Sequence, residues 1–527
     1  MITMKRISIS ALLATYWFCQ VGVAAEDIDH KVIAAIKEEG IQYSQAMETL
    51  SYLTDVHGPR FRGTPGYNAA AEWARQQMSD WGLDARLEPF PADYLGWGIE
   101  SHSVEMTSPR YMRLLAVPAA WASSTPEVSG ELVQVQFNDL EALQEHQGKL
   151  KNKILILPVD SDARAVSDPG KHRLSAEELR EKTQAINPNL SGNQPDERLS
   201  EFLPEELAGF EKKRVKTREI VSWLKKEGVT ALLESSRRDY GVIRVSAAAL
   251  LMDGPENSLP YFILSKEHHG RLVRTLAKGI TPTVKLSLTT RYYDEPKYNR
   301  NVIAEIKGSD SKKRDEVVLV GAHFDSWHVG TGATDNGVNS AVMMEALRIL
   351  KTLGLKMNRT VRVGLWGAEE SGFEGSLGYA RKHYGTVIGS NDFTDAQAKV
   401  SLYINLDNGG GKIRGVQLQG NEKARGFFTD NLAPFAYLDA NYVSVLNDEG
   451  LDHVVFDDLN IPAFTLLQDM LDYYPRTQHT TLDVYELVNE EAIKQNAVII
   501  ASLIYHAATR DELLPRKRLQ PPIPVEK

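Results

Sequence analysis

The sequence predicts an α/β protein: a mixed, mostly parallel sheet flanked by helices, carrying an inserted β-rich domain. Three observations predict it. From Asn301 onward, short apolar runs alternate with segments of helical period, the pattern of parallel strands joined by crossover helices. Between 126 and 290 the texture changes to short β-like runs separated by charged segments. The length, 527 residues, exceeds one ordinary domain, and an apolar fraction of 42% can fill more than one core.

The elements follow in order. Residues 1–25 read as a secretory signal: Lys5 and Arg6 give a positive start, an apolar stretch follows, and Val23-Ala24-Ala25 offers small residues for cleavage after Ala25. Residues 27–90 read as helical, with Ile28, Val32, Ile33, Ile36 and Ile41 at helical spacing. A Gly- and Pro-rich turn over 57–66 interrupts them, and an Ala-rich amphipathic helix over 67–81 ends near Gly82. β-like runs lie at 131–136, 153–158, 229–234, 261–264 and 283–288. The charged stretch 170–228, with helical pieces at 175–182 and 210–226, reads as solvated surface. Strands follow at 317–320, 361–366, 400–406 and 463–467, and helices at 340–353, 376–383 and 490–506. The Pro-rich end, 514–527, reads as a loose tail.

Charge and cysteine usage narrow the function. Sixty Lys and Arg against 70 Asp and Glu give a formal charge of −10, which argues against nucleic acid as a partner. The one cysteine, Cys19, lies inside the signal, so the mature chain has neither disulfides nor a thiol nucleophile. Beyond the signal no run is long and apolar enough to span a membrane. A secreted or periplasmic protein is expected.

Four strand exits carry metal-ligand chemistry. The 317–320 run leads through Gly321-Ala322 to His323, with Asp325 two residues on; the 361–366 run leads to Glu369-Glu370; the 400–406 run ends at Asp407; the 463–467 run leads into the loop of His479. In open α/β sheets, ligands bind beyond the carboxyl ends of strands. Imidazole and carboxylate are the ligands zinc takes, and two zinc ions can share one carboxylate. Asp335 sits among small residues just before a helix, where a bridging carboxylate could approach both ions. Asp325 is placed to hold the free N–H of the His323 ring. Adjacent side chains diverge, so of Glu369 and Glu370 one can ligate while the other faces water as a base.

These motifs, His323-Phe324-Asp325, Asp335-Asn336, Glu369-Glu370, Asp407 and His479, resemble those of the M28 family of co-catalytic zinc peptidases, in particular its carboxypeptidase Q type. The early Gly58-Pro59-Arg60 segment and the middle insertion recur in the same order, and the insertion looks like a protease-associated (PA) domain. The resemblance implies the zinc-exopeptidase fold, with peptidase parts at 26–125 and 291–512, the insertion at 126–290 and a tail at 513–527. It implies two zinc ions, one held by His323, Asp335 and Asp407, the other by Asp335, Glu370 and His479. Glu369 would be the general base, the Asp335–Asn336 peptide would be cis, and the chain could dimerise.

Other residues are placed around this centre. Tyr473 and Tyr474 precede His479 and are candidates for shaping the substrate pocket; His453, after Asp452, is a candidate on the substrate side. Trp327-His328 reads as a rim pair and His268-His269 as surface. The expected activity is hydrolysis of peptide bonds in dipeptides or short peptides, as carboxypeptidase, aminopeptidase or dipeptidase. Two other readings are a glutaminyl-cyclase-like enzyme with a single zinc, and a non-catalytic receptor-like protein bearing a PA domain.

Overall fold

Four neighbouring strands of the central sheet are continuous apolar runs, and that follows from their surroundings: strands covered on both faces carry no polar alternation. Val317–His323, Val400–Asn405 and Ala463–Gln468 are buried throughout, and Thr360–Trp366 nearly so. The computed structural model describes residues 26–92, 95–136, 139–158, 173–188, 203–245, 254–295 and 298–524. The expected signal segment and Cys19 lie outside the described residues.

In the central sheet the order is Asp84–Pro89, Arg300–Ile306, Thr360–Trp366, Val317–His323, Val400–Asn405, Ala463–Gln468, Ile413–Gln417, Tyr442–Ser444. Thr360–Trp366, Val317–His323, Val400–Asn405 and Ala463–Gln468 are mutually parallel, with His323 level with Trp366 and Gly321 level with Asn405. Their carboxyl ends therefore open onto one edge. Helices cover one face: Val338–Thr352 and Glu490–Thr509 pack on it together with His30–Gln42. The other face carries an aromatic layer of Trp366, Tyr379, Tyr403 and Phe456. The architecture is the mixed α/β arrangement that the sequence predicts.

A second eight-stranded sheet has its own core. Its four parallel strands, Thr125–Gln134, Ile154–Ile156, Ala231–Ser235 and Tyr261–Leu264, correspond to the expected β runs. The long strand Gly96–Ser108, upstream of the expected insertion, pairs with Thr283–Tyr293 in this sheet. Aromatic packing joins the two bodies: Phe61 and Trp327 lie among Trp97, Trp121 and His328, with Phe61 to Trp121 at 5.1 Å and Trp97 to His328 at 5.1 Å.

Several expectations are corrected. Within 27–90, Asp84–Pro89 is an edge strand antiparallel to Arg300–Ile306; its mixed composition hid it. The charged stretch 170–228 is not uniformly solvated surface. Helix Ala176–Gln184, with a capping box of Ser175 and Glu178, buries Leu179, and Ser444 Oγ donates to Lys182 O at 2.6 Å. The tail is pinned rather than loose: Leu514 and Ile523 are buried, and the Arg516 guanidinium donates to Gln397 O and Val400 O, both at 2.9 Å. His269 is not at the surface; it is buried with Nε2 2.8 Å from Leu157 O. Among the described residues no helix is long and apolar enough to cross a membrane.

The helix behind the metal edge contains one buried ion pair. Arg348 grips Glu345 through Nε and a terminal nitrogen at 2.7 and 2.9 Å and reaches Glu39 at 2.7 Å, while Glu345 is fully buried. Removing one partner of such a pair strands the other charge away from water, at a cost of about 3–5 kcal/mol. Arg348→Met is expected to lower the urea midpoint accordingly, and Glu345→Leu combined with Arg348→Met to recover much of the loss. Equal midpoints for wild type and Arg348→Met would contradict this account.

Candidate metal centre

Every candidate ligand reaches the same edge of the central sheet. His323 ends its strand, Glu369 and Glu370 form a single turn after theirs, Asp407 lies two residues past Asn405, and His479 sits on the loop after Gln468. His323 Nε2 is 3.2 Å from Asp335 Oδ1 and 3.1 Å from Asp407 Oδ1. His479 Nε2 is 3.2 Å from Asp335 Oδ2 and 3.1 Å from Glu370 Oε2. The two oxygens of Asp335 thus face two different imidazoles. Two ligand groups result, His323/Asp335/Asp407 and Asp335/Glu370/His479, each with its donor atoms within 4.8 Å of one another; Glu369 joins His323 and Glu370 in a third.

The donor set fits divalent cations. Asp335 Oδ2 and Glu370 Oε1 are buried and find no aligned hydrogen-bond donor among the described residues. Buried carboxylate oxygens are rarely left so, which points to a positive partner at this place. Without one, protons on the imidazoles supply the positive charge. Burial alone would lower the His479 pKa, but Glu370 and Asp335 push it up to about 10. Asp407 is pushed up to about 7, first by burial, with His323 opposing.

The supports are specific. His323 Nδ1 donates to the main-chain carbonyl of Asp325 at 3.0 Å, whereas the Asp325 carboxylate lies 3.6 Å away. This is the carboxylate expected to hold the imidazole, and it lies beside the same ring nitrogen. Its oxygens accept from the main-chain N–H groups of Glu369, at 3.0 Å, and Glu370, at 3.4 Å, and so fix the turn that aims both glutamates. The Asp335–Asn336 peptide is cis, and Asn336 Nδ2 donates to Leu406 O at 3.0 Å, tying this loop to the strand of Asp407. Asp483 accepts from Thr334 N and Oγ1 at 2.5 and 2.8 Å, locking the Asp335 loop to that of His479. Arg60, fully buried, donates to Phe324 O at 2.8 Å, Thr331 O at 3.1 Å and Gly332 O at 2.8 Å. Gly332 permits that approach: it has φ +67, and a Cβ there would meet Ser326 Cβ at 2.4 Å.

Four more side chains lie around the centre: Trp327 and His328, which the sequence reads as a rim pair, and Asp452 and Arg244, to which it assigns no role. Trp327 belongs to the centre: Nε1 donates to Glu370 Oε2 at 2.7 Å and its ring lies 5.5 Å from His479. Its place two residues after Asp325 was the available signal. His328, the other half of the expected rim pair, is half-buried, with Nε2 2.9 Å from Pro118 O. Asp452 accepts from Ser376 Oγ at 2.5 Å and is pushed up to about 8, chiefly by burial. Arg244 comes from the second sheet's domain and lies 3.2 Å from Gln478 Oε1.

The candidate substrate residues divide. Tyr473 is buried against Gly409, close enough for Asp335 and Asp407 to act on its hydroxyl; Tyr474 is 45% exposed and its OH donates to Asn408 Oδ1 at 3.4 Å. His453 is fully buried with Nε2 3.1 Å from Asp448 O, outside the ligand groups.

Imidazoles and carboxylates converging on the carboxyl edge of a mixed sheet define a metal-dependent hydrolase of the zinc-exopeptidase fold. Residues 301–504 match the model of Peptidase family M28. Carboxypeptidase Q of Homo sapiens is 24% identical over 489 residues, covering 92% of this chain and 90% of that protein. A peptidase M28 precursor from Shewanella amazonensis SB2B superimposes with a TM-score of 0.65 at 24% identity, covering 92% of this chain and 98% of that one. An aminopeptidase from Aneurinibacillus sp. strain AM-1 does so with a TM-score of 0.53 at 19% identity, covering 94% and 100%. The chain is a metallo-exopeptidase.

Metal loading should displace protons, because ligands bind in their deprotonated form. His479, held up to about 10 by its carboxylates, is protonated at pH 7 before loading. Zinc titration by calorimetry in buffers of different ionisation enthalpy is expected to show net proton release, and affinity should fall as pH drops. Buffer-independent heats would contradict this.

Proposed function

We propose that the chain is an exported exopeptidase that binds two zinc ions and cleaves dipeptides or short peptides. The observation that carries this reading is Asp335, whose two oxygens face His323 and His479 separately and so belong to two ligand groups at once. His323, Asp335 and Asp407 would hold one ion, and Asp335, Glu370 and His479 the other. Bound there, the ions supply Lewis acidity toward the scissile carbonyl and toward the attacking water.

The chain's own residues do the rest. Glu369 takes the proton of the attacking water and passes it to the leaving amine. Its environment suits a base that must hold that proton: burial pushes its pKa well above the usual carboxylate range, His323 opposes, and Asp407 and Glu370 add to the rise. Asp325 keeps the Glu369 carboxylate aimed by gripping its main-chain N–H. Trp327 fixes one oxygen of Glu370 and walls the centre from water, and Tyr473 and Tyr474 line the approach. Export rests on the leader-like residues 1–25. The carboxypeptidase Q relatives support cleavage of short peptides from an end.

Glu369→Gln is expected to keep its zinc and to lose about 10²–10⁴ of its turnover on dipeptides, the range that general acid–base catalysis supplies. Elemental analysis with hydrolysis assays checks both halves; full activity would remove Glu369 from its role. Asp335→Ala should bind neither ion. Two ions per chain in that variant would rule out the shared carboxylate, and a single ion in the wild type would favour the cyclase reading.

A further inference from the structure

The inserted chain reaches the central sheet at two places. At one, Val245 N donates to His479 O at 2.8 Å and Thr481 N to Ile243 O at 3.0 Å. At the other, the segment around helix Ala176–Gln184 is pinned beside the edge strand Tyr442–Ser444. Leu174 N donates to Asp469 Oδ1 at 3.0 Å, Ser444 Oγ to Lys182 O at 2.6 Å, and Asn447 N to Pro188 O at 2.9 Å. Between this helix and the sheet lies a cleft of about 660 Å³. Asn408, directly after Asp407, and Tyr474 line it, so it adjoins the metal centre.

Much of the cleft wall is apolar, with Leu446, Leu466, Leu467 and Met470. Set beside them is one firmly held carboxylate. Asp448 Oδ2 accepts from Gln417 Nε2 at 2.9 Å and from Asn408 Nδ2 at 3.2 Å, and the Asp448 main-chain N–H donates to Gln419 Oε1 at 2.9 Å. His453 Nε2 donates to the Asp448 carbonyl at 3.1 Å, and burial lowers the pKa of that ring, which keeps it neutral. Among the described residues no lysine or arginine pairs with the carboxylate. The other charges of the wall, Glu178 and Lys182, stand one turn apart on one helix, the spacing at which opposite charges offset each other. Asp448 therefore sets the sign of the cleft. Asn408 and Gln417 need only an acceptor, which an uncharged amide oxygen supplies as well. The charge itself is left for something that enters.

We propose that this cleft takes the side chain of a substrate residue flanking the cleaved bond and, through Asp448, selects a cationic one, lysine or arginine. The carbon stem of such a side chain would lie along Leu446, Leu467 and Met470 while its charged end meets the carboxylate. Only the Asn408 side chain separates Asp448 from the main chain beside Asp407, so a side chain attached next to the scissile bond can span the distance. The inference rests on the peptidase reading of the neighbouring metal edge and adds the side chain it prefers. It also gives the inserted helix a share in specificity.

Lysyl-alanine and norleucyl-alanine, with alanyl-lysine and alanyl-norleucine, test it on the zinc-loaded full chain. In at least one pair the lysine peptide should win by about tenfold in kcat/KM, the lower end of what hydrogen bonds to a charged group give, because Asp448 is half-buried. The advantage should shrink as salt is raised. Asp448→Asn, which keeps the shape and an acceptor, should bring that lysine-to-norleucine ratio toward 1, whereas a purely structural role would depress both peptides together. Lys182→Met should raise the ratio by removing a like charge from the wall. A ratio near 1 in both wild-type pairs, or one unchanged in Asp448→Asn, would overturn the proposal. Calorimetric binding of the same peptides to zinc-loaded Glu369→Gln, with and without Asp448→Asn, reads the contact without turnover. A wild type that cleaves none of the four would sink the peptidase reading, while this binding comparison still decides the part played by Asp448.

Discussion

One carboxylate, Asp335, sets the constraint to which the rest of the molecule answers. It is buried, it faces two imidazoles, and Asp407 and Glu370 crowd beside it. Such a concentration of acid in a dry place is unfavourable unless positive charge balances it. The fold answers by anchoring every participant from behind. Asn336, Asp483 and Arg60 tie the loops together through bonds to main chain or to neighbouring hydroxyls, so that little about the cluster can relax.

The supports explain why distant sequence segments are needed at one edge. Arg60 lies more than two hundred residues before the loop whose carbonyls it satisfies; without it Phe324 O and Thr331 O would lose that donor, and Gly332 O would keep only Gly337 N among the described residues. Asp325 lies beside the His323 imidazole and also holds the turn of the two glutamates. Its carboxylate aims Glu369 and Glu370 through their main-chain N–H groups, while its own carbonyl accepts from the imidazole.

Much of this was legible in the sequence, for identifiable reasons. Val317–His323 and Val400–Asn405 are buried on both faces, so they read as unbroken apolar runs, and their exits mark the ligands. Asp84–Pro89 was invisible because an edge strand with five polar or half-buried positions shows no period. Trp327 and Arg244 escaped for another reason. Each matters through contacts with residues far along the chain, Glu370 and Gln478, and nothing in the local pattern carries that information. The tail misled because a Pro-rich composition says nothing of Arg516, whose guanidinium gathers four main-chain carbonyls.

The paired main-chain bonds between Ile243–Val245 and His479–Thr481 cross from one structural body to the other. Their consequence is thermodynamic. Any ligand that steadies the histidine loop also steadies the appended sheet, and loosening of that sheet is felt as weaker occupancy of the metal edge. The two bodies therefore melt as partners, and the smaller one cannot be trimmed away as an ornament without fraying the loop that closes the catalytic edge.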